Sequence, residues 1–123
     1  DYCLLHTRFI PHNDVEHYYS SADLVILPYK KIYQSGVLMM ALSYGKPALV
    51  SDLAPLKEVV SDMETAFLFK NGNSISLTQK LNFILLNPQK LEEVRVKGEQ
   101  LVNEKYDWDE IGRQTKYAYQ SLD

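Results

Sequence analysis

"YQSGVLMMALSYGKPALV", residues 33–50, decides how the rest is read. Gly36 opens an apolar run; Gly45-Lys46-Pro47 closes it, and a second apolar run starts at once. Residues 35–44 read as a helix with a small, bare entrance and a glycine-marked exit. Pro47 cannot continue that helix, so "PALVS" reads as the next strand, short and buried on both faces. Upstream, "DLVILPY" is a continuous apolar run stopped by Pro28, which fits another strand covered on both faces. Strand, helix, strand in this order predicts parallel pairing through a crossover helix.

The flanks extend the same alternation. Residues 3–9 read as a short strand. In "PHNDVEHYYSSA", Asn13 or Asp14 is placed to cap a short helix with Glu16 in its first turn. "APLKEVV" puts Pro55 in the first turn of another short helix, and "TAFLF" is a strand ended by the turn signal "KNGN". From Ser74 the pattern is helical, with Leu77, Leu81, Ile84 and Leu85 assigned to one face. Pro88 breaks that helix, and Leu91, Val94 and Leu101 mark the next. In the tail, Trp108, Ile111, Thr115 and Tyr119 fall near one stripe. The expected class is α/β, a Rossmann-like parallel sheet with flanking helices, without internal repeats or low-complexity tracts.

Bulk properties fit one globular domain. The chain has 123 residues, 46% hydrophobic and 24% charged, an ordinary globular mix. A net charge of -3 with no basic stripe argues against nucleic acid as the main partner. The single cysteine, Cys3, cannot form an internal disulfide; it reads as a small core residue in a reducing, intracellular setting. No apolar run approaches the ~18 residues of a membrane span. There is no signal peptide and the first residue is Asp, so the chain reads as an excised fragment. His6, His12 and His17 do not form a metal set, with no Cys or acidic cluster at ligand spacing, and no Ser-His-Asp or Cys-His order is discernible. "QKLEEVRVKGEQLVNEK" reads as a solvated helix face with i,i+4 pairs.

In parallel α/β sheets, ligands sit outside the carboxyl ends of the strands. The loop "PYKKIYQSG" leaves such an end and runs into the helix that opens at Ser35 or Gly36. Backbone N–H groups and the positive end of the helix dipole make that start a natural phosphate site, and glycine has no side chain to hold the guest off. Gln34 offers an amide suited to sugar hydroxyls. Lys30 and Lys31 read as a surface pair more than as an anion screen. Tyr29 and Tyr33 are the two tyrosines in the site loop, whereas Tyr18, Tyr19 and Tyr44 read as packing residues. Met39, Met40 and Leu42 read as core.

The segment "ADLVILPYKKIYQSGVLMMALSYGKPALVSDLAPLKEVVSDMETAFLF" resembles the nucleotide-sugar-binding half of GT-B glycosyltransferases of the retaining group-1 family. The resemblance lies in the order of "LPY", "SGVLMMALSYGKPALV", "SDLAPLKEVV" and "ETAFLF". It extends to "FIPHNDVEHYYSSADL" before them and to the closing "KYDWDEIGRQTKYAY", and so covers nearly the whole chain. It implies a partial GT-B C-terminal domain over residues 1–123. The first two strand–helix units, with their diphosphate-binding Gly-Arg and Lys, and the N-terminal acceptor domain are missing. In the implied sheet order 3-2-1-4-5-6, the strand at residues 3–9 lacks its neighbours, so a homodimer or strand swap is expected.

The resemblance further implies a hexosyltransferase-type enzyme as the full-length parent, with the fragment inactive alone. The parent would move a sugar from a nucleoside-diphosphate sugar to a glycan or lipid-linked acceptor. No cofactor and no metal are implied, and the expected location is cytoplasmic or peripheral at the inner membrane face. The implied substrate-binding residues are Tyr29, Tyr33, Gln34, Ser35, Gly36, Val37 and Met40, with no catalytic residue assigned. The chain departs from the family at its two usual glutamates: these positions hold Ile32 and Met40, neither of which accepts a hydrogen bond. The family's Gly-Gly turn is Ala54-Pro55 here, and Glu58 matches the glutamate of that turn. A noncatalytic binding or assembly module and a nucleotide-sugar epimerase of the same fold remain the alternatives.

Overall fold

The computed structural model describes residues 12–31 and 36–105. Its elements are α1 (His12–Ser21), β1 (Val25–Leu27), α2 (Gly36–Ser43), β2 (Ala48–Ser51), α3 (Ala54–Lys57), β3 (Phe67–Phe69), α4 (Ser74–Leu86) and α5 (Pro88–Lys105). The strands pair in parallel in the order β1-β2-β3. The alternation of strand and helix thus gives the parallel α/β sheet that the sequence predicts. The strand at residues 3–9, with Cys3, and the closing helix lie outside the described residues.

Successive side chains of a strand point to opposite faces, and two apolar layers follow from that. Val25, Leu27, Ala48 and Val50 face Leu38 and Leu42 of α2, Leu56 of α3 and Val102 of α5. Leu49, Phe67 and Phe69 face Ile84 of α4 and Val94 of α5. All four β2 residues are buried. Helix α5 contributes to both layers because it crosses the sheet beside the residue that leads into β3. Gly98 marks the crossing: a Cβ there would lie 2.7 Å from the Thr65 carbonyl oxygen and 3.0 Å from Leu42 Cδ2.

Helix α2 stops by a Schellman motif. Lys46 N–H donates to Ala41 O at 3.1 Å and Gly45 N–H to Leu42 O at 3.0 Å. Gly45 takes φ 72°, a conformation that costs residues with a Cβ about 1–2 kcal/mol. At the start of α4, Asn73 Oδ1 accepts from Ser76 N–H at 2.9 Å, a cap worth about 1 kcal/mol.

Four expectations are corrected. Helix α1 begins at His12, so Asn13 and Asp14 lie inside its first turn rather than capping it. Leu85 does not join Leu77, Leu81 and Ile84; it is 70% exposed while Ile84 is buried, because neighbours in a helix are turned 100° apart. Ile26, in a strand expected to be covered on both sides, is 39% exposed: its row neighbours Leu49 and Phe67 are buried in the cluster with Ile84 of α4 and Val94 of α5, and Ile26 is not among the side chains packed on that cluster. Met40 is only half-buried, unlike Met39 and Leu42.

The outer edge of β3 is closed by side chains. Leu68 N–H donates to Asp62 Oδ1 at 2.8 Å and Lys70 N–H to Ser76 Oγ at 2.9 Å. Lys80 Nζ holds the same Asp62 carboxylate at 3.0 Å. The donors that an added strand would use are thereby taken.

The α5 crossing carries a prediction. Gly98→Ala, which places a methyl against a backbone oxygen that cannot turn aside, is expected to cost about 1–3 kcal/mol. Thermal unfolding should show a midpoint several degrees lower; an unchanged midpoint would mean that α5 does not approach Thr65 this closely.

Candidate functional site

The carboxyl ends of the three strands form a rim tied together by short-range bonds. Ser51 is buried, and its Oγ reaches Leu27 O at 3.5 Å, linking β2 to β1. Asp52 N–H donates to Phe69 O at 2.9 Å, and Asp52 Oδ1 accepts from Asn71 N–H at 2.7 Å, linking β2 to the turn after β3. Sequence reasoning missed both residues. Their signal was available: "SD" directly follows the apolar "ALV", where a strand buried on both faces ends at its polar rim.

Helix α2 starts at this rim. Gly36 is exposed, and a Cβ built on it would meet nothing within 4 Å. The first-turn amides of α2 have no intrahelical acceptor. Leu38, Met39, Ala41 and Leu42 anchor the helix in the core. Gly36, Val37 and Met40 lie on its less covered side, Val37 exposed and Met40 half-buried. The structure thus brings these three expected site residues together at one helix start. Tyr33, Gln34 and Ser35 lie outside the described residues, as does Ile32.

Tyr29 is placed differently. It is half-buried and packs against the core layer beneath α2. Tyr19 and Tyr44 stack with ring centroids 5.0 Å apart and planes 9° from parallel, as packing residues do. Lys30 and Lys31 are exposed in the loop, and Glu58 is exposed at the end of α3. Among the described residues, no three His, Cys, Asp or Glu side chains are grouped to hold a metal ion. No helix of the described residues is long and apolar enough to cross a membrane.

With this geometry in place, comparison with known proteins settles the family. The family model for glycosyl transferases group 1 matches residues 4–101. The chain belongs to the group 1 glycosyltransferases. It is 28% identical over 106 residues to an uncharacterized glycosyltransferase of Haemophilus influenzae, covering 85% of this chain and 30% of that protein. It superposes on sucrose-phosphate synthase from Thermosynechococcus elongatus with a TM-score of 0.77 and 25% identity, over 92% of this chain and 28% of the other. A protein of Anabaena solved in complex with UDP matches with a TM-score of 0.75 and 21% identity, over 88% of this chain and 30% of the other. The sheet and its helices are those of the GT-B fold, and the chain spans about a third of the length of these proteins.

The tyrosine cluster sets a pH dependence. Burial, followed by the neighbouring Tyr29 and Tyr44 phenols, raises the pKa of Tyr19 above its ordinary 10.0. Stability from the neutral phenol is fully present below pH 10.0 and is lost as pH rises through the raised folded-state value. Tyr19→Phe should flatten the alkaline arm of a stability-against-pH curve; an arm of unchanged slope would place the ionisation elsewhere.

Proposed function

We propose that this chain is part of the donor-binding C-terminal domain of a GT-B glycosyltransferase. The parent enzyme moves a sugar from a nucleoside-diphosphate donor to a glycan or lipid-linked acceptor. The observation that carries the reading is Gly36, exposed at the first position of α2, where among the described residues nothing beyond its chain neighbours and its own helix lies within 4 Å of a Cβ. A diphosphate approaching from outside the strand ends meets backbone donors and the positive end of a helix dipole there. The UDP held by the Anabaena relative supports the ligand class.

The chemistry assigned to this half is electrostatic. As the sugar leaves, negative charge grows on the departing diphosphate, and amides already aimed at it stabilise that charge without reorganising. Leu38, Met39 and Leu42 are buried, so the helix start is held on a rigid support. The reading assigns no metal ion to this step. Transfer itself is assigned to the parent, since the chain spans only 28–30% of the length of these relatives.

Met40 keeps a second reading in view. A half-buried thioether stands where the family places a carboxylate, so the donor hydroxyls lose an acceptor on this side. A noncatalytic module with the same fold would tolerate that loss.

The test uses the full-length parent and titration calorimetry with UDP, GDP and ADP. One of them is expected to bind, and Gly36→Asp to weaken it at least about tenfold, or 1.4 kcal/mol. The same substitution should leave the unfolding midpoint unchanged or slightly higher, since an acid at a helix start stabilises by about 0.3–1 kcal/mol. Binding unaffected by Gly36→Asp would move the site off α2. Binding without transfer of the matching nucleotide sugar to any glycan or lipid-linked acceptor would favour the noncatalytic module.

A further inference from the structure

Asparagine followed by glycine is a reactive pair in a polypeptide, because glycine, without a Cβ, lets its backbone nitrogen approach the preceding side chain. Of the asparagines in this chain, Asn71 alone precedes glycine. The pair sits in the turn after β3, which Asn73 N–H closes by donating to Lys70 O at 3.1 Å. Both residues are exposed. Among the described residues, neither the Gly72 N–H nor the Asn71 carboxamide has a hydrogen-bond partner. Nucleophile and electrophile are thus adjacent in the chain, solvated and unengaged.

The other asparagines differ. Asn73 Oδ1 accepts from Ser76 N–H at 2.9 Å as the cap of α4. Asn87 Nδ2 donates to Phe83 O at 2.7 Å, and Pro88 after it has no N–H to give up. Asn82 and Asn103 lie inside α4 and α5, where the next residue's N–H is held by the helix ladder. Asn13 precedes Asp14, whose Cβ crowds the approach.

We propose that Asn71-Gly72 is a self-modification site whose conversion loosens the rim at the strand ends. The Gly72 nitrogen, losing its proton to hydroxide, attacks Asn71 Cγ. The bond from Cγ to the carboxamide nitrogen breaks, and that nitrogen leaves as ammonia. Water then opens the resulting five-membered succinimide at either carbonyl. One opening gives aspartate; the other runs the main chain through the side-chain carbonyl and gives isoaspartate. The net exchange takes up one water and releases one ammonia, so no enzyme, oxidant or cofactor is called for. Both products put a carboxylate beside Asp52, whose Oδ1 accepts from Asn71 N–H at 2.7 Å. Like charges repel there, and isoaspartate adds an atom to the main chain inside the turn that Lys70 O closes. The tie between β2 and the turn after β3 therefore gives way. The site shares no residue with the helix start at Gly36 and does not depend on a nucleotide there.

The full-length parent is incubated at mildly alkaline pH and mapped by peptide mass spectrometry, with the aspartate and isoaspartate peptides separated. Conversion at Asn71 is expected to run at least about tenfold faster than at Asn73, Asn82, Asn87 or Asn103. It should speed up as pH rises, because the attacking nitrogen must lose its proton, and it should give both products. Asn71→Gln, whose longer side chain would have to close a six-membered ring, should abolish the change at that position, with circular dichroism confirming the fold. Hydrogen exchange in the peptide spanning residues 67–77 should quicken in the converted protein and stay unchanged in the incubated Asn71→Gln variant. An unaltered Asn71, or conversion at a rate shared with the other asparagines, overturns the proposal. Aspartate as the sole product overturns it too, since that is hydrolysis without Gly72. So does unchanged exchange after conversion, which would leave the rim intact.

Discussion

Strand β2 must be covered on both faces, and the rest of the domain follows from that demand. Ala48, Leu49, Val50 and Ser51 are all buried. Burying a Val or Leu side chain is worth about 1.5–3 kcal/mol, and this stabilisation requires an apolar layer on each side. Helices α2 and α3 supply one layer and α4 the other. Helix α5 serves both, with Val94 on one side and Val102 on the other. A single helix reaches both layers only by passing the strand ends at close range, and Gly98 permits the approach. The crossing also brings Glu99 beside Gly45, where α2 turns toward β2, so the helix that joins the layers also packs against the end of the helix that forms the candidate site.

The elements that the sequence made legible share a local cause. Gly45 with Pro47, Pro28, Pro55 and "KNGN" act through their own backbone conformations, and the structure places the ends of α2 and β1, the start of α3 and the turn after β3 where those residues predict. The Gly36 helix start was legible for the same reason. What the sequence hid depends on what lies next to an element in space. Leu85 has the periodicity of a core residue and Ile26 sits in an unbroken apolar run, yet both are exposed because no described element lies over them. Ser51 and Asp52 escaped notice at the rim because their roles depend on partners 24 and 19 residues away, respectively. Met40 shows the limit at the site itself: the same spacing fits a core residue and a ligand-facing one, and the structure leaves it half-buried between the two.

Among the described residues the two sheet edges are treated differently, and side-chain chemistry makes the difference. At β3, Asp62 and Ser76 accept the outward amides and Lys80 neutralises the carboxylate. At β1, Val25 N–H donates inward to Pro47 O, so by the alternation of a parallel ladder the groups of Ile26 point outward. They meet no partner among the described residues, and Pro28 brings no N–H with which to extend the edge. Among the described residues, this is the edge whose groups are left for a further strand. On that side lie the exposed Ile26 side chain and the exit toward α2, so whatever completes the sheet there also walls the mouth of the candidate donor site.

Backbone donors bear on the missing glutamates. An amide at a helix start survives any substitution that leaves the helix intact, whereas a side-chain acceptor is lost in one step. If the diphosphate sits at Gly36, replacing the family's carboxylates by Ile32 and Met40 removes contacts to the donor's hydroxyls without touching those that stabilise the leaving charge. The expected consequence is altered donor choice more than lost chemistry, because selectivity for a hydroxyl comes from groups left unpaired when it is absent. On the proposed function, fold, helix start and rim persist while the donor changes, and the side chains that line the mouth, more than the architecture behind them, would set the choice of sugar nucleotide.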